Sequence, residues 1–261
     1  WDTLSTVAVS LVLLLFALPL LEGESIIRLT SPLESRGYVD MTLQVLRDRG
    51  IRVEELPEGF RVPGGQQYGR GTLGEEADYS QAAFWLAAAG LGSPLTVEGL
   101  DPDSTQGDRC VVSYFQQLAG PGRVELDIAQ CPDLAPALAV RAALRPGQTA
   151  RLVNAGRLRL KECDRLAAIP EELNKLGGQL TEGADFLEIR GVERLLGGVA
   201  DSHNDHRIAM MLAVAATRAE GTVTIRGAES VAKSYPDFWE VYESLGGRVL
   251  RQREEREACD M

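Results

Sequence analysis

Residues 205–228, DHRIAMMLAVAATRAEGTVTIRGA, carry the pattern that decides the fold. Ile208, Met211, Leu212 and Ala215 recur at i, i+3, i+4 and i+7, the spacing of one buried helix face. The apolar run ends at Gly221 and passes straight into TVTIRGA, a short strand pattern. The same order occurs three more times: LVLLLFALPLLEG runs into SIIRLTS, SQAAFWLAAAGLG into SPLTVEG, and PDLAPALAVRAALRPG into QTARLVNAG. The glycines ahead of these strands are Gly23, Gly92, Gly147 and Gly221, spaced 69, 55 and 74 residues apart.

Each strand leads into a second helical stretch: YVDMTLQVLRDRG, the CVVSYFQQLAG region, DRLAAIPEELNKLGG and PDFWEVYESLGG. These end at Gly50, Gly120, Gly177 and Gly246, which reads as a left-handed cap on each helix. Strand-like sequence follows: IRVEEL, RVELDIA, QLTEGADFLEIRG and RVLRQ. The chain is therefore a repeat of helix, strand, helix, then strand or hairpin. Strongly apolar helices beside half-polar strands predict helices inside and sheets facing water, the reverse of a doubly wound sheet. A Gly-rich polar break, PGGQQYGRGTLGEEA (63–77), separates one unit before it from three after it.

A length of 261 residues fits one large domain or two ordinary ones. With 44% apolar and 25% charged residues, a mostly disordered or collagen-like chain is excluded. The formal charge of −11 argues against a sequence-independent nucleic-acid binder. It leaves room for an anionic small molecule, because a local basic cluster can oppose the global charge. Cys110, Cys131, Cys163 and Cys259 form no CxxC pair, which points away from a zinc knuckle and toward a reducing compartment. His203 and His206 form a lone HxxH pair, a weak metal signal. Residues 4–21, LSTVAVSLVLLLFALPLL, have three readings: a secretory signal without a basic start, a short membrane span, or a buried helix.

Four segments concentrate chemistry. In RLRLKECDR (157–165), strand alternation would put Arg157, Arg159 and Lys161 on one side, with solvated strand charges as the plainer alternative. In DSHNDHR (201–207), Ser202, Asn204 or Asp205 can cap the helix that follows. Arg207 then falls in a first turn, where a bound anion, or pairing with Asp201 or Asp205, would compensate it. In VAKSYPDF (231–238), Lys233 precedes a helix starting at Pro236, with Ser234 as a cap. In QCPDLAP, Asp133 enters at a helix start, the usual place for a capping carboxylate.

Taken in order, SPLESRGYVDMTL, ADYSQAAFWLAAAGL, QGDR, CPDLAPALAV, GRLRLKECDR, DSHNDHRIAM and VAKSYPDFWEVYESLGG resemble the EPSP synthase (3-phosphoshikimate 1-carboxyvinyltransferase) family. UDP-N-acetylglucosamine enolpyruvyl transferases share the fold, but KECDR and KSYPDF look like the shikimate enzyme. The resemblance implies an α+β, inside-out α/β fold: two domains, each of three βαβαββ units with buried helices and solvent-facing sheets. It implies that residues 1–75 are the last unit of the N-terminal domain. It implies likewise that residues 76–250 are the complete C-terminal domain, and 251–261 a charged tail. Two units and the first crossover would lie outside this sequence, which favours the buried-helix reading of residues 4–21.

The family reaction joins shikimate 3-phosphate, through its 5-hydroxyl, to phosphoenolpyruvate and releases phosphate, with no metal or cofactor. Carried over by position, Asp133 resembles the carboxylate that takes the hydroxyl proton, and Glu162 the acid/base beside the enolpyruvyl carbon. Lys161, Ser35 and Tyr38 resemble groups on the shikimate-phosphate side; Arg165, Arg207 and Lys233 resemble the clamp for phosphoenolpyruvate and the inhibitor glyphosate. The resemblance further implies a cytoplasmic, usually monomeric enzyme without nucleic-acid or membrane partners. It also implies that a piece of this kind is inactive alone, or is half of a split enzyme. Two departures stand out. Val7, Ala8 and Val9 occupy the family's Ser-Ser-Gln positions and cannot supply those hydrogen bonds, and Cys163 stands where Ser or Thr is usual.

Overall fold

The computed structural model describes residues 3–31, 33, 36–72, 74 and 76–251, with side chains from residue 10 onward. The first unit comprises α1 (Thr3–Ala17), β1 (Glu24–Arg28), α2 (Arg36–Asp48), β2 (Glu54–Leu56) and β3 (Gly59–Pro63). Its strands form one antiparallel sheet in the order β1-β3-β2, with Ile27 opposite Phe60 and Glu54 opposite Arg61. One face of this sheet meets α1 and α2 in a small core of Leu11, Leu15, Val39, Leu43, Leu46, Ile51, Phe60 and Val62.

After the break come α3 (Tyr79–Gly90), α4 (Val111–Gln117), β4 (Gly122–Asp127), α5 (Ala135–Ala143), β5 (Gln148–Val153) and α6 (Arg165–Lys175). Then follow β6 (Gln179–Glu182), β7 (Phe186–Arg190), β8 (Leu195–Asp201), α7 (His206–Ala216), β9 (Ala219–Arg226) and α8 (Phe238–Ser244). Strands β4, β5, β7 and β6 form a sheet in that order; β4 and β5 run parallel, and the other neighbours antiparallel. Strands β8 and β9 pair parallel.

The second core is centred on helices, as the apolar runs predict. Every residue of α5 is buried, and α7 buries Ile208, Met210, Met211, Leu212 and Val214. At about 1.5–3 kcal/mol per fully buried large apolar side chain, that packing dominates what places α7. Strand β5 alternates, burying Gln148, Ala150 and Leu152 against the helices while the residues between them are half-exposed. Inside β9, Gly221 has a φ of +104°, a conformation that favours glycine, where the β8–β9 register slips between Leu196 and Gly198.

Several local expectations change. Residues 157–160 are a 3-10 turn (Gly156–Leu160), not a strand, so Arg157, Arg159 and Lys161 do not share a sheet face. Arg159 instead pairs with Asp164 and Glu182. SPLTVEG (93–99) joins no sheet, whereas β3 and β8 are strands that the repeat pattern did not separate out. Gly50, Gly177 and Gly246 have positive φ but Gly120 does not. The last helix begins at Phe238, so Ser234 is not its cap. No described helix is long and apolar enough to cross a membrane. Ser35, the side chains of Val7, Ala8 and Val9, and residues 252–261 of the tail lie outside the described residues.

Candidate active site

Four helix starts point toward one cleft. The N-caps are physical reasons for where three of those helices begin. Asp78 accepts from the Ser80 and Gln81 amides ahead of α3, Asp164 from Ala167 ahead of α6, and Asp205 from Arg207 and Ile208 ahead of α7. The fourth, α5, is preceded by a 3-10 turn, Pro132–Leu134. Asp133 sits in that turn and makes no capping bond, contrary to the expectation for a carboxylate at this place. Its side chain faces cations instead.

Arg165 Nη1 lies 2.8 Å and Lys161 Nζ 3.1 Å from Asp133 Oδ1. On the other oxygen, Arg207 Nη2 is at 3.6 Å and Tyr38 Oη donates at 3.3 Å. Burial alone would raise this carboxyl's pKa, but Arg207, Lys161 and Arg165 together hold it well below the usual carboxylate range.

Arg165 is fully buried and ties three carboxylates together. Its Nε donates to Asp205 Oδ2 at 2.7 Å, Nη1 to Asp133, and Nη2 to Glu162 Oε2 at 2.5 Å. Asp205, also fully buried, is penalised by burial but held low by that guanidinium and by its bond from the Arg207 amide. Arg207 therefore does not pair its side chain with Asp201 or Asp205: its guanidinium turns to Asp133 and to Ser80 Oγ, 3.2 Å away.

The cleft beside this network has a volume of about 270 Å³, and Tyr38, Ser80, Gln106, Asp108, Asp133 and Arg207 are among its lining residues. Asp108 stands out: burial, and then the nearby Asp133 charge, push its carboxyl up to about 7 despite Arg207. The first unit closes one side. Gly37 packs against the backbone of Gly107 so tightly that a Cβ would lie 2.8 Å from its nitrogen, and the Arg36 amide donates to Gln130 Oε1 at 3.0 Å.

Of the residues expected here, Asp133, Glu162, Lys161, Arg165, Arg207 and Tyr38 converge. Lys233 does not join them; it is exposed, and its Nζ donates to the Asn204 carbonyl at 2.5 Å. Sequence reasoning gave no role to Asp108 or Ser80, although both lie inside the quoted strings QGDR and ADYSQAAFWLAAAGL. It offered Asp205 as one of three caps and as an alternative partner of Arg207, and missed its contact with Arg165.

The chain matches the sequence profile of EPSP synthase (3-phosphoshikimate 1-carboxyvinyltransferase) over residues 2–242. It is 46% identical over 250 residues to the 3-phosphoshikimate 1-carboxyvinyltransferase of Clostridium acetobutylicum, covering 90% of this chain and 58% of that protein. With that of Clostridium perfringens strain 13 it shares 44% over 257 residues, covering 92% and 60%. Among solved structures, an EPSP synthase of Acinetobacter baumannii matches with a TM-score of 0.74 at 26% identity, over 86% of this chain and 57% of that one. A second from the same organism matches in fold with a TM-score of 0.77 at 24% identity, over 92% and 60%. The chain thus spans 58–60% of the length of these curated relatives.

Proposed function

The chain belongs to the EPSP synthase family, and from that premise we propose that its cleft binds shikimate 3-phosphate and phosphoenolpyruvate for enolpyruvyl transfer to the 5-hydroxyl, with release of phosphate. The observation that carries the reading is Asp133, an ionised carboxylate held among Arg165, Lys161 and Arg207 at converging helix starts. Asp133 accepts the hydrogen of the 5-hydroxyl. In the free protein it is a weak base, because three cations stabilise its charge. Substrate phosphate and carboxylate groups that engage Lys161 and Arg207 withdraw that stabilisation and make Asp133 a better proton acceptor. Glu162, 40% exposed and bonded to Arg165, exchanges the proton at the enol carbon: it protonates that carbon as the 5-hydroxyl oxygen bonds to the adjacent one, and takes a proton back as phosphate leaves and the double bond re-forms. Arg207, Lys161 and the helix starts hold the anionic groups, Tyr38 flanks the shikimate side, Ser35 is assigned to the same substrate by its sequence position, and Lys233 joins the clamp when substrate fills it.

Residues 1–75 act here as the last unit of one domain, 76–250 as the other domain, and 251–261 as a tail. The same reading places the protein in the cytoplasm as a monomer that glyphosate inhibits. A second reading is favoured by Val7, Ala8 and Val9: the chain binds substrates but turns them over only with a partner chain. Calorimetry with each substrate and phosphate release with both separate the two. Turnover by the chain alone, cut about 100- to 10,000-fold by Asp133→Ala, supports the first. Binding without turnover supports the second, and no binding of either substrate defeats both.

A further inference from the structure

The loop before α7 (201–205) takes an unfavourable backbone course. His203 and Asn204 are consecutive non-glycine residues with φ of +50° and +54°. Asn tolerates that region, but a histidine there is uncommon and costs free energy that something else must offset. The groups that depend on this course are functional ones: Asp205 holds Arg165, Arg207 faces the cleft, and the Asn204 carbonyl receives Lys233.

Glu172 lies behind the loop, on α6, and is fully buried. One carboxylate oxygen accepts the Asp201 amide at 2.8 Å. The other lies 2.7 Å from His203 Nε2 and 2.6 Å from Lys175 Nζ. The two contacts to the loop bracket Ser202, whose Oγ donates to the Gly227 carbonyl at 2.9 Å and whose carbonyl accepts the Asp205 amide at 2.9 Å across the left-handed turn. Glu171, Glu172 and His203 are close enough together to suggest a cation site. Lys175 already sits on both carboxylates, and the second oxygen of Glu172 is committed to a backbone amide, so the cluster reads as an anchor.

We propose that Glu172 is a positioning residue, which fixes the 201–205 loop so that Asp205 and Arg207 present the anion-binding side of the cleft in register. This rests on the proposed reading of Arg207 as a group that binds anionic substrate. Loss of the carboxylate frees the Asp201 amide and the His203 ring, and the turn relaxes toward ordinary backbone angles. A glutamine retains an oxygen for the amide, while its nitrogen still faces the His203 ring nitrogen at hydrogen-bond distance. It therefore preserves the loop and sacrifices only the Lys175 pair.

The test combines amide hydrogen exchange over residues 201–207 with calorimetric titration of inorganic phosphate, on the full chain and its Glu172→Ala, Glu172→Gln, Lys175→Met and Arg207→Ala variants. Glu172→Ala is expected to speed loop exchange and weaken phosphate binding by about tenfold each. Glu172→Gln and Lys175→Met stay within about threefold of the parent, even where their melting temperatures fall. A general loss of stability would not sort the variants in that order. A folded Glu172→Ala with parental loop exchange overturns the proposal, as does Glu172→Gln loosening the loop as much as Ala. If Glu172→Ala does not fold, His203→Ala, which removes one of the two loop contacts, is read in its place: parental exchange over 201–207 then overturns the proposal. Arg207→Ala isolates the underlying reading. If it leaves phosphate affinity unchanged, the anion-binding role of Arg207 fails, while loop exchange still judges Glu172.

Discussion

Replacing Arg165 by methionine tests the centre of the site. Arg165 and Asp205 are both inaccessible to solvent and joined by two hydrogen bonds, at 2.7 and 3.2 Å. Methionine fills much of the volume but leaves Asp205 as a buried charge without its guanidinium. Breaking a buried pair on one side costs about 3–5 kcal/mol. In a protein of this size each kcal/mol moves the melting temperature by roughly 2–4 °C, so a fall of about 6–20 °C is expected. The pH dependence also changes sign. In the parent, the folded pKa of Asp205 is lowered, so its contribution is present above the ordinary carboxyl pKa and is lost as pH falls through the lowered value. In Arg165→Met burial, the largest influence on Asp205, outweighs the remaining Arg207 amide and His206 charge, so the folded pKa rises above the unfolded one and stability declines as pH increases. Adding Asp205→Asn removes the stranded charge and keeps a residue that can cap α7, so the double variant should recover more than half of the loss. Thermal unfolding followed by circular dichroism between pH 4 and 8 reads all three. A loss below about 1 kcal/mol in Arg165→Met, or no recovery on adding Asp205→Asn, would refute the view that this pair is a desolvated, mutually dependent unit.

Asp108 should show the opposite linkage. Its folded pKa is raised to about 7 by burial, Asp133 and Asp78, against Arg207 and Lys161, so the folded state retains a proton that the unfolded chain has released. Stability should fall as pH rises from about 4 to about 7 and then level off, and Asp108→Asn should remove that slope. Denaturant titrations of the two proteins across this range check it; parallel curves would contradict the shift. Cys163 should resist alkylation at pH 8, because burial, and then Asp205, push its thiol up to about 12. Peptide mapping after iodoacetamide treatment of the folded protein checks this, and rapid labelling at that position would count against the contact of 3.6 Å from its sulfur to Asp205 Oδ2.

Much of the architecture was legible because it is local. The 3.6-residue period of IAMMLAVAA and the glycine that ends each apolar run arise from neighbouring residues, and α3, α5 and α7 lie where those runs predict. Errors fell where local signals conflict. RLRL alternates like a strand but lies in a 3-10 turn, whose Arg159 is held by Asp164 and Glu182. Short strands such as β3 and β8 carry too few residues for alternation to separate them from loops.

The sequence by itself determined that α3, α5 and α7 would be buried and the sheets exposed, because those helices are almost wholly apolar and the strands are apolar on alternate residues only. It also supplied the strings that place the chain in its family. Which charges meet was decided by tertiary structure alone. Arg165 bonds Asp133 and Asp205 across 32 and 40 residues of chain, and Glu172 holds a loop about 30 residues away. No sequence period links such positions. They come together because the buried helices, packed side by side, bring their N-termini to one end of the core. There low polarity makes each unpaired charge costly and each paired one specific.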